Sequence, residues 1–95
     1  MSDPTILVLA SLAGGDKHGY AMMDDIEQFA AVRLGPGTLY GAITRLEERG
    51  WIRPVKTKDR RQPYTLTATG RTHLAEQLDG FQQVVKTGLG RLKQA

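Results

Sequence analysis

Residues 35–50, GPGTLYGAITRLEERG, constrain this chain more than any other stretch, because they carry both end signals of one helix. Pro36 suits a first helical turn, where a missing N–H has no partner to lose, and Gly50 provides the left-handed residue that stops it. Leu39, Ile43 and Leu46 fall at i, i+4 and i+7 and make a single apolar stripe. At about 100° per residue, Thr38, Gly41, Arg45 and Glu48 point away from that stripe, with Arg49 beside them. A helix that is apolar behind, small and basic in front, and led by a Gly-Pro-Gly turn is shaped to enter a groove of DNA.

The rest of the chain is short. Its 95 residues suffice for one domain, and at this size only about 60–65% of the unfolded surface is buried, so subunit association is a natural extra source of stability. With 40% hydrophobic and 24% charged residues the chain is ordinary globular material. Cysteine is absent, which excludes disulfides and Cys-based zinc sites and fits a reducing cytoplasm. The apolar run Ile6–Leu12 is too short to cross a bilayer and lacks the flanks of a secretory signal. The net charge of +3 is modest, but it is unevenly placed. Arg53, Lys56, Lys58, Arg60 and Arg61 face a single acid, Asp59, whereas Asp24, Asp25 and Glu27 make an earlier segment acidic. Localised positive charge of this kind is either a phosphate-meeting patch or a solvated hairpin.

Taken in order, Asp3 and Pro4 cap and open a first helix that is apolar nearly all round through Ile6, Leu7, Val8, Leu9, Ala10 and Leu12. One face serves the domain; the second calls for a partner subunit. Gly14 and Gly15 end it. Asp16 is the candidate cap of a second helix, roughly His18–Ala30, with Met22, Ile26 and Phe29 inward and Tyr20 and Met23 at the margins. His18 at its start either binds nearby backbone or acts as a sensor or ligand. Asp24 and Asp25 diverge by about 100° on a helix and so form no shared acid–base site.

After Gly50 the texture changes. Trp51-Ile52-Arg53 and Tyr64-Thr65-Leu66 have strand composition and enclose the turn-rich KTKDRRQP, which predicts a two-stranded wing. Pro54 and Pro63 remove ladder donors, so its strands must be short or at an edge. Trp51 packs the wing on the core or stacks on a flat ligand. Thr67 then caps a helix in which Leu74, Leu78, Phe81, Val85, Gly88 and Leu92 recur as a heptad seam. Unbroken to Lys93, it would be about 39 Å long and would project beyond so small a domain. Gly80 and Gly88 either weaken its end or permit close approach of another helix. The fold expected is mainly α with a small β-wing: a winged helix-turn-helix over residues 1–66, with its wing at 51–66, and a C-terminal dimerisation helix at 67–95 in the same compact unit.

HGY at His18–Tyr20, GPGTLYGAITRLEERGWI at Gly35–Ile52 and the RxxxYTLTATG run from Arg60 to Gly70 together resemble the PadR-like transcriptional regulators. The resemblance covers residue 6 to about residue 80. It implies a homodimer acting on pseudo-palindromic operator DNA, usually as a repressor. In compact members the first and last helices build the dimer, which here assigns Ile6, Leu9, Leu74, Leu78, Phe81 and Val85 to the interface. Some members bind flat hydrophobic compounds between subunits, and Trp51 and Phe81 are the candidate walls of such an effector pocket. The sequence departs from the family pattern at Gly35, where serine is common, at Gly41, where proline is common, and at Ala21, where an acid is usual.

Roles for the candidate DNA-binding residues follow from their chemistry. Thr38, Thr44 and Arg45 offer base-edge or adjoining phosphate contacts, and Gly37 and Gly41 let the backbone approach. Tyr40 either gives its hydroxyl to a phosphate or is a core tyrosine. Lys58, Arg60 and Arg61 supply sequence-independent affinity, and Glu48 faces the same way as Arg45 and can pair with it. The rival reading is a winged-helix protein-interaction module that never binds DNA. Enzyme chemistry finds little here: no phosphate loop, no His-x-x-x-His pair, and no spacing that ties His18 or His73 to an acid or nucleophile. No cofactor, metal or membrane partner is implied.

Overall fold

The computed structural model describes residues 3–94. It contains four helices and three short strands: α1 (Pro4–Ala13), β1 (Lys17–His18), α2 (Gly19–Ala30), α3 (Pro36–Glu48), β2 (Ile52–Pro54), β3 (Pro63–Leu66) and α4 (Ala68–Gln94). The architecture is the expected one, mainly helical with a small β element and a long final helix. Among the described residues no helix is long and apolar enough to cross a membrane.

Helix α1 is the hub. It packs against α2, α3, α4 and β3, and Ile6, Leu7, Val8, Leu9, Ser11 and Leu12 are all buried. Most of its apolar surround is therefore covered inside one chain, Val8 and Leu9 completely, while Ile6, Leu7 and Ala10 keep an edge on a groove shared with α4. The polar exception, Ser11, donates its hydroxyl to Asp25 Oδ2 at 2.7 Å. Asp3 caps the helix by accepting from the Thr5 N–H at 2.9 Å. Helix α2 contributes Met22, Met23 and Ile26 to the core, while Phe29, expected inside, is 50% exposed because it lies at an open groove beside Ile6, Leu7 and Phe81 rather than in the core. Its cap is His18 rather than Asp16: Nδ1 accepts from the Ala21 N–H at 3.3 Å. Asp24 and Asp25 are partnered separately, Asp24 with Arg33 at 2.7 Å and Asp25 with Ser11.

The sheet has three strands, not two. In the antiparallel order β1-β3-β2, Lys17 faces Tyr64 on one side of β3, and Ile52 faces Leu66 on the other. Two residues are too few for a periodic signal, so β1 left no trace in the sequence pattern. Pro63 consequently lies in the central strand, where it is tolerated as the first residue; its carbonyl accepts from the Val55 N–H at 3.0 Å.

Helix α4 is continuous for 27 residues, about 40 Å at the usual rise, and accounts for the molecule's 57 Å long axis. Its start is fastened to the corner after α3. Thr67 N–H donates to the Trp51 carbonyl at 3.0 Å, the Thr67 and Thr69 hydroxyls donate to the Gly50 carbonyl at 2.7 and 3.0 Å, and Thr67 Oγ1 caps the helix by accepting from the Gly70 N–H at 3.0 Å.

Candidate nucleic-acid interface

Leu39, Ala42, Ile43 and Leu46 anchor α3 by burying one side of it, each larger side chain stabilising by about 1.5–3 kcal/mol. Its end is a Schellman motif: the Gly50 N–H bonds the Glu47 carbonyl and the Trp51 N–H bonds the Leu46 carbonyl, both at 3.0 Å, with Gly50 at φ +75°. That closure fixes where the helix stops and where the sheet begins. Gly37, Thr38, Thr44 and Arg45 are exposed on the opposite side, with Gly41 partly covered. A Cβ at Gly37 would meet no other atom within 4 Å, and one at Gly41 would meet only the Arg45 Nη1 at 4.0 Å. Arg45 thus reaches back along the helix over the space that Gly41 leaves. The Thr44 hydroxyl donates to the Tyr40 carbonyl at 2.9 Å, which keeps its oxygen lone pairs available outward.

Arg53, Lys56, Lys58, Arg60 and Arg61 are all exposed, and among the described residues none of them lies within ion-pair distance of a carboxylate. The loop between β2 and β3 is braced by Gln62, whose Nε2 donates to the carbonyls of Val55 at 2.8 Å and Pro63 at 2.7 Å. The wing is therefore cationic and unneutralised. Arg33 behaves differently: it is engaged by Asp24 and by Glu27 at 3.3 Å, and the Asp24 hydrogen bond holds its guanidinium above its ordinary pKa. It fastens the α2–α3 connection.

The tripeptide His18-Gly19-Tyr20 joins these parts. His18 caps α2 and, through β1, pairs with β3. Gly19 makes room for α3, because a Cβ there would fall 2.4 Å from the Tyr40 hydroxyl oxygen. Tyr40 is 46% exposed, with its ring edge against α2 rather than sunk in the core. Tyr20 lies under the wing, the Arg61 guanidinium carbon 5.7 Å from its ring centroid. The His18 cap is the nearby-backbone contact that the sequence offered as one of its two readings. The contacts of His18 with β3, of Gly19 with Tyr40 and of Tyr20 with Arg61 were not legible there, since each of those partners is at least 20 residues away.

The model of the transcriptional regulator PadR-like family matches residues 8–76, spanning α1 through the first part of α4. The chain belongs to that family. A PadR family transcription regulator from hypervirulent Clostridium difficile R20291 superposes with a TM-score of 0.82 over 90% of this chain and 94% of that one; at 23% identity the likeness is one of fold. A transcriptional regulator from Clostridium thermocellum, 25% identical, gives 0.79 over 87% and 86% of the two chains. A 37.1 kDa protein in transposon TN4556 of Streptomyces fradiae is 50% identical over 70 residues, which is 74% of this chain but 20% of that protein. This chain thus spans about a fifth of the length of the curated relative it matches.

In this PadR-like chain the residues expected at a subunit interface divide into two groups. Leu9 is completely covered by its own chain, and Ile6 and Leu74 nearly so, because α1 is enclosed by the other helices; Leu9 has no surface to offer a partner. Leu78 and Val85 are exposed and Phe81 half-buried, and they continue into exposed Val84, Leu89 and Leu92. Ile6, Leu7, Ala10, Phe29, Leu78 and Phe81 line an apolar groove of about 280 Å³ between α1 and α4. Trp51 is not part of it. Its indole stacks on His73 with centroids 3.6 Å apart and planes 10° apart, and the Arg49 guanidinium sits 5.2 Å from the ring. The two candidate pocket walls, Trp51 and Phe81, therefore line separate hollows, and Trp51 joins the α3–β2 corner to α4.

Proposed function

We propose that this protein is a homodimeric, sequence-specific DNA-binding repressor, with residues 1–66 supplying the winged helix-turn-helix and 67–95 the dimerisation helix. The observation that carries this reading is the face of α3: Gly37 and Gly41 without side chains, Thr38, Thr44 and Arg45 exposed beside them, next to a wing whose Lys58, Arg60 and Arg61 have no carboxylate within ion-pair distance among the described residues. Arg45 and the threonines read base edges in the major groove, while Lys58, Arg60 and Arg61 hold phosphates. Tyr40, half exposed, contributes a hydroxyl to the backbone contacts.

The exposed apolar strip of α4, together with Phe29, supports association with a second copy through Leu78, Phe81 and Val85. Two recognition helices so joined would reach half-sites about 34–36 Å apart, or a multiple of that spacing. A small hydrophobic or aromatic effector would occupy the groove beside Phe81, between the subunits, and relieve binding by changing how the copies sit.

Selection of bound fragments from random duplex DNA tests the reading directly. Enrichment of a pseudo-palindrome is expected. Arg45→Ala should then relax preference at particular positions, whereas alanine at Lys58, Arg60 or Arg61 should weaken binding to all sequences and lower the salt slope by about one per lost contact. Identical behaviour of the two classes would refute the division of labour, and failure to enrich any DNA would refute the function.

A further inference from the structure

We infer that Tyr20 is a positioning residue for DNA binding, holding the wing by its Arg61 guanidinium; the inference rests on the DNA-binding reading above. Tyr20 is 56% exposed on the first turn of α2, so its ring is not there to fill the core. The Arg61 guanidinium carbon lies 5.7 Å from the ring centroid, within reach of a cation–π contact, and no carboxylate among the described residues competes for it. The anchor is rigid on its own side. The residue before Tyr20 is pinned by Tyr40 of α3, and the one before that caps α2 and pairs with β3. Arg61 itself lies in a long loop between Pro54 and Pro63, whose conformational freedom an anchor reduces. Held on Tyr20, the guanidinium keeps its N–H groups free, because a ring face takes no hydrogen bond from the edge donors that a phosphate needs. The contact therefore fixes the wing relative to α3 without neutralising the charge that the wing brings.

A double-mutant cycle on the full chain, read by titration against the fragment recovered from random duplex, separates this role from simple structure. Tyr20→Ala is expected to weaken binding about two- to fivefold, the size of an exposed cation–π contact, while Tyr20→Phe keeps wild-type affinity. In an Arg61→Ala background, Tyr20→Ala should cost nothing further. An equal cost in both backgrounds, or an equal loss for Phe and Ala, would overturn the inference, the latter assigning the hydroxyl itself to DNA. Without DNA, the Arg61 Nε proton should resonate upfield from the ring current in the wild type and Tyr20→Phe, and return to its ordinary position in Tyr20→Ala. An unshifted wild-type resonance also overturns it. Wild-type protein that binds no fragment refutes the DNA-binding reading itself, whereas binding with an additive cycle refutes the positioning role alone.

Discussion

Gly70→Ala is expected to destabilise the protein, although glycine inside a helix is ordinarily the weaker residue. A Cβ at position 70 would sit 1.9 Å from the Trp51 carbonyl oxygen, 2.8 Å from its carbon and 3.0 Å from Leu66 Cδ1. That carbonyl is not free to turn, since it already accepts from the Thr67 N–H at 3.0 Å. The start of α4 must therefore retreat by roughly 1 Å or more to regain ordinary contact distance, pulling on both threonine bonds to Gly50. Overpacking of about 3 kcal/mol and one lost hydrogen bond of about 1 kcal/mol outweigh the roughly 1 kcal/mol that alanine gains over glycine in a helix. The net loss is about 2–3 kcal/mol, or a fall in Tm of roughly 10–20 °C. Gly80 in the same helix is the control: nothing lies within 4 Å of its Cβ position, so Gly80→Ala should stabilise by about 0.5–1 kcal/mol. Urea unfolding followed by far-UV circular dichroism and by the fluorescence of the single tryptophan, at one fixed protein concentration, measures both. A Gly70→Ala protein as stable as the wild type would refute the close-packing argument.

Three further outcomes are expected. Ala31 ends α2 at φ +55°, a conformation that costs an L side chain, so Ala31→Gly should stabilise by about 0.5–1 kcal/mol in the same unfolding assay. Burial, with the nearby Glu47 charge and Tyr40, raises the Tyr64 pKa above its ordinary 10.0; the folded state favours the neutral phenol, so this contribution is complete below pH 10 and is lost as pH rises beyond it. Tyr64→Phe should remove that part of the alkaline loss, as a pH series of urea midpoints would show. Gly19→Ala must displace the Tyr40 ring end, a flexible group, so it should weaken operator binding severalfold while moving Tm little; unchanged affinity would place Tyr40 away from DNA.

How much of this was legible depended on whether a segment's signal was local. Helix α3 was readable throughout, because its stop signal, stripe and face lie within sixteen consecutive residues and the Schellman closure at Gly50 needs no distant partner. Helix α4 was readable as a heptad seam, but not the divergent roles of its glycines: Gly70 is fixed by the Trp51 backbone, while Gly80, Gly88 and Gly90 face open space. The two-residue β1 was invisible, and with it the reason that His18, not Asp16, begins α2. The apolar surround of α1 demands cover on all sides, and most of that cover comes from its own chain, which leaves Leu9 no outer surface. Pattern alone does not say whether cover comes from the same chain. Trp51 was placed at the join between wing and core, but its stacking on His73, 22 positions later, has no sequence signal.

The central place of α1 has a consequence for how this protein is made. Helix α1 leaves the ribosome before the elements that enclose it, and one of the surfaces that shields it belongs to a helix that begins only at residue 68. Until then an oily cylinder waits with one flank open, and long-range closures of this kind slow folding and leave intermediates prone to stick to one another. A nascent chain halted before α4 is synthesised should therefore be the form most readily captured by chaperones.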